Sequence, residues 1–425
     1  MTLEQTKNYS IFNAAVVVAA LGYFVDIYDL LLFSMVRINS INGLGVFTLD
    51  EARNIGEAII SWQMAGLLVG GILWGTLGDK KGRLSVLFGS ILLYSICNIL
   101  NGFIGQFNIP FINETAIDQY KWVRFIAGIG LAGELGAGIT LVAEITPKEK
   151  RGIATSLVAG IGLSGAVLAY VMKENFAWRI CYFIGGGLGF LLLVLRISVS
   201  ESGMFNAVKT SHVAKGNFFM LFTNKERLTR YLLSILIGLP TWYVIGVLLT
   251  FSNDFAAAFN VQGNIDPSFS VMVAYIAISI ADILIGLLSL ALKSRKKALY
   301  IFYGITLASI IWYFTGLYGA STNTFYICCA CLGFGTGFWA LFVTIGAEQF
   351  GTNLRATAAT TIPNMVRGLL AFMILPLYKF FRSETMFNNI ITGAIVTGII
   401  IMVIACTAVY FIKETYGKDL DFIEE

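Results

Sequence analysis

The feature that most constrains this chain is an apolar run, near 20 residues long, that recurs from one end to the other. A stretch of that length crosses the hydrocarbon core of a bilayer as one helix. About twelve such runs are present. They begin near Ile11, Ala58, Ser85, Lys121, Ile153 and Trp178, then near Tyr231, Ser268, Ala298, Phe325, Ala358 and Phe387. A β-barrel would instead alternate over segments of about 10 residues, and no such alternation is seen. Composition agrees: 13% of the 425 residues are charged, against about 25% in soluble domains. The expected fold class is therefore all-α and integral to the membrane. The first run, Ile11 to Val36, is too long for a signal-peptide core and has no convincing cleavage site, so it reads as a retained helix.

The longest polar interruption spans residues 198–230 and holds Lys209, Lys215, Lys225, Arg227, Arg230 and the one histidine, His212. It divides the chain into an N-terminal six-helix half (1–197), a cytoplasmic linker (198–230) and a C-terminal half (231–425). With the N-terminus inside, most of the 29 lysines and arginines fall on even-numbered connections and the termini, in clusters such as "KKGR", "KEKR" and "KSRKK". The positive-inside rule then predicts two cytoplasmic termini, in a cell (inner) membrane. These loops account for the net charge of +4, so nucleic acid is not an expected partner. The six cysteines lie in apolar stretches without loop-like metal spacing. No metal or cofactor is expected, and neither is direct use of ATP, because the phosphate-binding pattern GxxxxGK[ST] is absent. No residue is assigned a catalytic role, and the chain reads as a non-enzyme.

The halves repeat. "AEITPKEKRGIAT" (143–155) aligns with "AEQFGTNLRATAA" (347–359), so Glu144 and Arg151 correspond to Glu348 and Arg355. "SESG" (200–203) aligns with "KETYG" (413–417), placing Glu201 opposite Glu414, and "GTLGDKKGR" (75–83) has a weaker echo in "GLLSLALKSRKK" (286–297). Parallel repeats of this kind mark transporters. The matched glutamates and arginines are expected to form an ion-pair lattice that locks the two halves together on the cytoplasmic side.

Charges inside the apolar runs are costly and mark function. Asp26 and Asp29, in "GYFVDIYDLLLF", share one helix face. Arg124, Glu134 and Arg367 are further charges within spans. Gln63, Trp242, Tyr243, Asp282, Trp339 and Asn364 are candidate cavity residues, with Trp62 beside them. Pro240, Pro363 and Pro376 interrupt helices 7 and 11, as gates near a pathway do.

"GTLGDKKGRLSVLFGS" strongly resembles the loop between helices 2 and 3 of the major facilitator superfamily, with Asp79, Gly82 and Arg83 on the pattern. "RFIAGIGLAGELGAGITLVAEITPKEKRG" (124–152) looks like helix 4 and its loop in metabolite:proton symporters, with similarity to sugar porters and phosphate:proton symporters. The ending "KETYGKDLDFIEE" is similar to that of sugar porters. "SESGMF" lacks the proline and arginine usual in them, which counts against a sugar.

The resemblance covers the whole chain. It implies two pseudo-symmetric six-helix bundles around a midplane site, alternating access, a small-molecule substrate and a monomer in the bilayer. It also implies roles. Asp29 matches the aspartate that takes the proton in sugar porters, and Arg124 matches the arginine facing it. Asp26 then tunes its neighbour or contacts substrate, and Glu134 is a second candidate carboxylate. Arg367 resembles an arginine of aromatic-acid symporters. It either forks onto an anionic substrate or neutralises Asp26 or Glu134. The leading expectation is proton-coupled symport of a small, anionic metabolite. The alternatives are uptake of a neutral solute such as a sugar or polyol, an exporter or exchanger, and a transporter-like sensor.

Overall fold

Twelve helices in the computed structural model are long and apolar enough to cross a membrane. It describes residues 14–106, 115–147, 150–198 and 216–424, without the side chains at 49 and 50. Glu201 and His212 lie outside the described residues. The helices are α1 (Ala14–Asn42), α2 (Glu51–Lys81), α3 (Arg83–Phe103), α4 (Ala116–Ile145), α5 (Arg151–Asn175) and α6 (Trp178–Leu195). The second six are α7 (Lys225–Leu249), α8 (Pro267–Leu292), α9 (Arg295–Thr315), α10 (Thr322–Glu348), α11 (Arg355–Arg382) and α12 (Ile390–Phe411).

All twelve expected spans are present. α2 and α7 start furthest ahead of what hydropathy suggests, by seven and six residues, because capped polar turns precede the apolar run. Thr48 and Glu51 form a reciprocal capping box at the start of α2. The Asn224 side chain accepts from the Glu226 amide, so α7 begins at Lys225 rather than near Tyr231. Gly82, at φ 103°, makes the turn between α2 and α3 that a side chain would strain.

The two six-helix bundles meet along α2 against α11 and α5 against α8. Small residues let the backbones approach there. A Cβ on Gly75 would stand 2.9 Å from the Thr357 Cα.

Five spans depart from regular helix. α5 is interrupted at Ser164. α4 breaks at Ala132–Gly133. α7 widens to a π-turn over Val244–Leu249, and α11 does so over Leu370–Ile374, just before Pro376. α10 stops at Gly335 and resumes at Trp339 without any proline. Pro363 sits inside a continuous helical segment of α11. Such interruptions collect at functional sites, and four of these five lie beside the cavities described next.

Candidate functional site

The buried charges separate into layers along α1. In the N-terminal bundle, Arg124 of α4 donates to the Asp29 Oδ1 at 3.0 Å and to the Asp29 carbonyl at 3.2 Å. Both side chains are fully buried. The Phe33 and Tyr182 rings flank the guanidinium, each 5.8 Å away. About two turns of α1 nearer the end that carries the "KKGR" and "KEKR" clusters, here called the basic end, Arg196 pairs with Glu134. Gly22 of α1 packs on that pair, where a Cβ would collide with both side chains.

Between these layers lies Asp26. It is fully buried, and neither carboxylate oxygen has a hydrogen-bond partner. Arg367 of α11, Glu134 and Asp29 are the charges near enough to act on it. Arg367 donates to Asn364 Oδ1 at 3.3 Å and approaches the Tyr23 hydroxyl at 3.5 Å, and its guanidinium lies 5.8 Å from the Trp339 ring. With Tyr23, Tyr275, Trp242 and Trp339 it lines a void of about 10 Å³. Above it, toward the end opposite the basic one, a cavity of about 200 Å³ is lined by Met35, Arg37, Glu57, Thr250 and Lys379 among others. Leu30, Trp242 and Ile245 line both spaces and form the partition. At the mouth, Lys379 of α11 pairs with Glu57 of α2 at 3.0 Å.

The basic end is shut. Asp79 of α2 accepts from the amides of Ala356 and Thr357 at 3.0 and 2.8 Å, and from the Thr357 hydroxyl at 2.7 Å. A carboxylate on a helix N-terminus is favoured by the exposed amides and by the helix dipole. Beside it, the repeated glutamates and arginines pair crosswise. Glu144 binds Arg83 at 2.7 Å in its own bundle and Arg355 at 3.1 Å in the other. Glu348 binds Arg295 at 3.0 Å in its own bundle and Arg151 at 3.6 Å in the other.

The Major Facilitator Superfamily family model matches residues 19–376. The chain belongs to the Major Facilitator Superfamily. It is a membrane transporter, not an enzyme. It is 25% identical over 427 residues to a putative metabolite transport protein of Haemophilus influenzae, covering 96% of this chain and 97% of that one. It is 24% identical over 310 residues to a low affinity inorganic phosphate transporter of Petunia hybrida, covering 60% and 57% of the two chains. Its fold matches the proton:xylose symporter XylE of E. coli, solved with 6-bromo-6-deoxy-D-glucose, at a TM-score of 0.72 and 17% identity, with 98% of each chain covered.

Within this superfamily fold, several residues expected in the cavity face elsewhere. The Tyr243 hydroxyl donates to the Ala394 carbonyl of α12 at 2.7 Å, so it ties α7 to α12. Gln63 is buried against α1, its amide 3.4 Å from the Leu30 carbonyl. Trp62 stacks edge-on with Trp122 and Phe125. Asp282 accepts from the Ala340 amide at 3.0 Å and lines neither cavity. Asn364 donates to the Ala132 carbonyl at 2.9 Å, joining α11 to the break in α4 while it holds Arg367.

Glu414, expected in the ion-pair lattice, instead caps α9. It accepts from the Ser294 hydroxyl at 2.5 Å and the Arg295 amide at 2.9 Å. Those bonds hold its carboxyl below the usual glutamate range. Sequence reasoning missed Arg196 and Arg295. Arg295 was visible in the "KSRKK" echo of Arg83. Arg196, at the end of an apolar run, carries no motif that marks it.

Proposed function

We propose that this transporter couples uptake of a small anionic metabolite to protons by alternating access. In this reading the basic end is cytoplasmic, the membrane is the cell membrane, and the larger cavity is the external vestibule. The protein acts as a monomer, with its two halves joined by the linker, and needs no cofactor beyond the coupling proton.

One observation carries the reading. On the C-terminal side of the small void, the Nε1 atoms of Trp242 and Trp339 and the Nε of Arg367 are buried donors without acceptors. On α1, next to Ile27, which lines the void, both oxygens of Asp26 are buried acceptors without donors, although Asp26 itself does not line the void. Buried polar groups normally have partners. An anion supplies acceptors to the first set, and a proton on Asp26 answers the second. The two events favour each other. An ionised Asp26 repels an anion at Arg367, and a protonated one does not. By linkage the anion then strengthens proton binding by the same factor.

Asp26 is therefore the carrier in this proposal, and Asp29 supports it from its pair with Arg124. The phosphate-transporting relative fits an anionic substrate. The second reading is a neutral ring such as a sugar, favoured by the four aromatic residues around the void and by the likeness to XylE. It leaves the donors of Arg367 without a charged acceptor.

The test is a thermal-shift screen of purified protein against anionic and neutral metabolites. A ligand at 100 times its Kd adds about 2.7 kcal/mol, a readable shift. Hits are then assayed for flux in proteoliposomes. Stabilisation and transport of neutral solutes alone would overturn the anion reading.

A further inference from the structure

The break in α10 leaves a half-helix, Trp339–Glu348, whose first amides have no side-chain cap from their own segment. The residue that supplies one is Asp282, on a different helix. It is fully buried, and its Oδ1 accepts from the Ala340 amide at 3.0 Å. The contact depends on a close approach. Gly337 sits in the break against α8, where a Cβ would collide with the Cβ of Ala281 and stand 3.1 Å from the Ile278 carbonyl. A larger residue at 337 would push the two helices apart and take the amide out of reach.

Among the described residues, Asp282 has no ion pair. The partial positive charge of a helix N-terminus, about half an elementary charge, is the compensation available to it. Its neighbours Tyr275 and Ile278, one to two turns away on α8, line the small void, while Asp282 does not. The capped segment begins with Trp339, which sits 6.4 Å from Trp242, 5.0 Å from Phe342 and 5.8 Å from the Arg367 guanidinium.

We infer that Asp282 is a positioning residue: by capping the second half of α10 from α8, it fixes Trp339 against Arg367 and so sets the affinity of the site. The needed property is an acceptor oxygen at this place. Asparagine keeps that oxygen and alanine does not, so the role separates the two variants. The inference does not depend on the substrate being an anion. Where it concerns affinity, it rests on the void being the binding site.

The experiment has two arms, both on the full chain in lipid nanodiscs, with monodispersity checked first. Hydrogen–deuterium exchange is followed in the segment 336–342 for wild type, Asp282→Asn and Asp282→Ala. The expected result is exchange at least about tenfold faster in Asp282→Ala, and near wild type in Asp282→Asn, as for loss of one buried hydrogen bond. Equal exchange in all three, or equal acceleration in both variants, would overturn the cap.

The second arm measures thermal stabilisation by inorganic phosphate and by benzoate. For a probe that stabilises wild type, Asp282→Ala is expected to need at least about ten times more of it, a 1.4 kcal/mol change, and Asp282→Asn is not. Unchanged probe affinity in an Asp282→Ala protein with fast exchange would overturn the positioning role. If neither probe stabilises wild type, the claim that Asp282 sets affinity is overturned together with the anion reading, while the exchange arm decides the cap.

Discussion

Asp26 on α1 and Arg367 on α11 are both buried, yet the two form no ion pair, and both Asp26 oxygens are left without a partner. Arg367 is instead steadied by Asn364 and Tyr23. A charge held in place with a donor to spare is the arrangement a binding site needs.

Replacing Arg367 tests that arrangement. Arg367→Ala is expected to weaken binding of an anionic substrate by about 2–5 kcal/mol, the scale for truncating one member of a buried charged pair. Arg367→Lys is expected to recover only part of it, because an ammonium lacks the planar fork. Titration by thermal shift reads both. Normal affinity in both variants would remove the anion from this site.

Breaking the Asp29–Arg124 pair should register as stability. Arg124→Ala leaves a fully buried carboxylate without its partner, a loss of about 3–5 kcal/mol. Adding Asp29→Asn removes the orphan charge and is expected to restore part of the melting temperature. A double variant no better than Arg124→Ala alone would show that the arginine acts through its packing on Phe33 and Tyr182.

The amount of this that could be read from sequence follows physical lines. Twelve spans were legible because a bilayer demands long apolar runs. The matched Glu144/Arg151 and Glu348/Arg355 were legible because duplication preserves spacing. Their crossed partners were not, since spacing within a repeat says nothing of which bundle an arginine reaches. Nor could Trp242 be told from Tyr243. In a helix apolar on all sides, periodicity gives no phase, and neighbours on α7 turned out to face the void and α12 respectively. Asp282 looked like a ligand because a break in α10 without proline leaves little trace in the sequence beyond the glycines at 335 and 337.

The crossed partners should couple pairwise. In a double-mutant cycle, Glu144→Gln and Arg355→Gln are expected to show a coupling of about 0.5–3 kcal/mol in thermal unfolding, whereas Glu144→Gln with Arg151→Gln should be closer to additive. Equal coupling in both cycles would contradict the crossed assignment.

Asp79 joins the bundles through the N-terminus of α11. Asp79→Asn keeps an acceptor but loses the charge, which is worth about 0.3–2 kcal/mol at a helix N-terminus. The expected outcome is slower transport with normal membrane insertion, from a weaker closed state at the basic end. Labelling of a single cysteine placed at Ala356 should rise in the variant. Unchanged labelling and flux would make this contact a passive one.

The central claim is that a proton on Asp26 and an anion at Arg367 travel together, and flux in proteoliposomes tests it most directly. Asp26→Asn imitates the protonated residue permanently. With an imposed pH gradient, the variant is expected to lose uphill accumulation of the identified substrate. It should retain downhill exchange, which does not require the proton to leave. Asp29→Asn serves as the comparison and is expected to keep pH-driven accumulation at a reduced rate. An Asp26→Asn protein that still concentrates substrate against its gradient, or an Asp29→Asn protein that alone loses this ability, would contradict the account and move the proton to Asp29 or elsewhere.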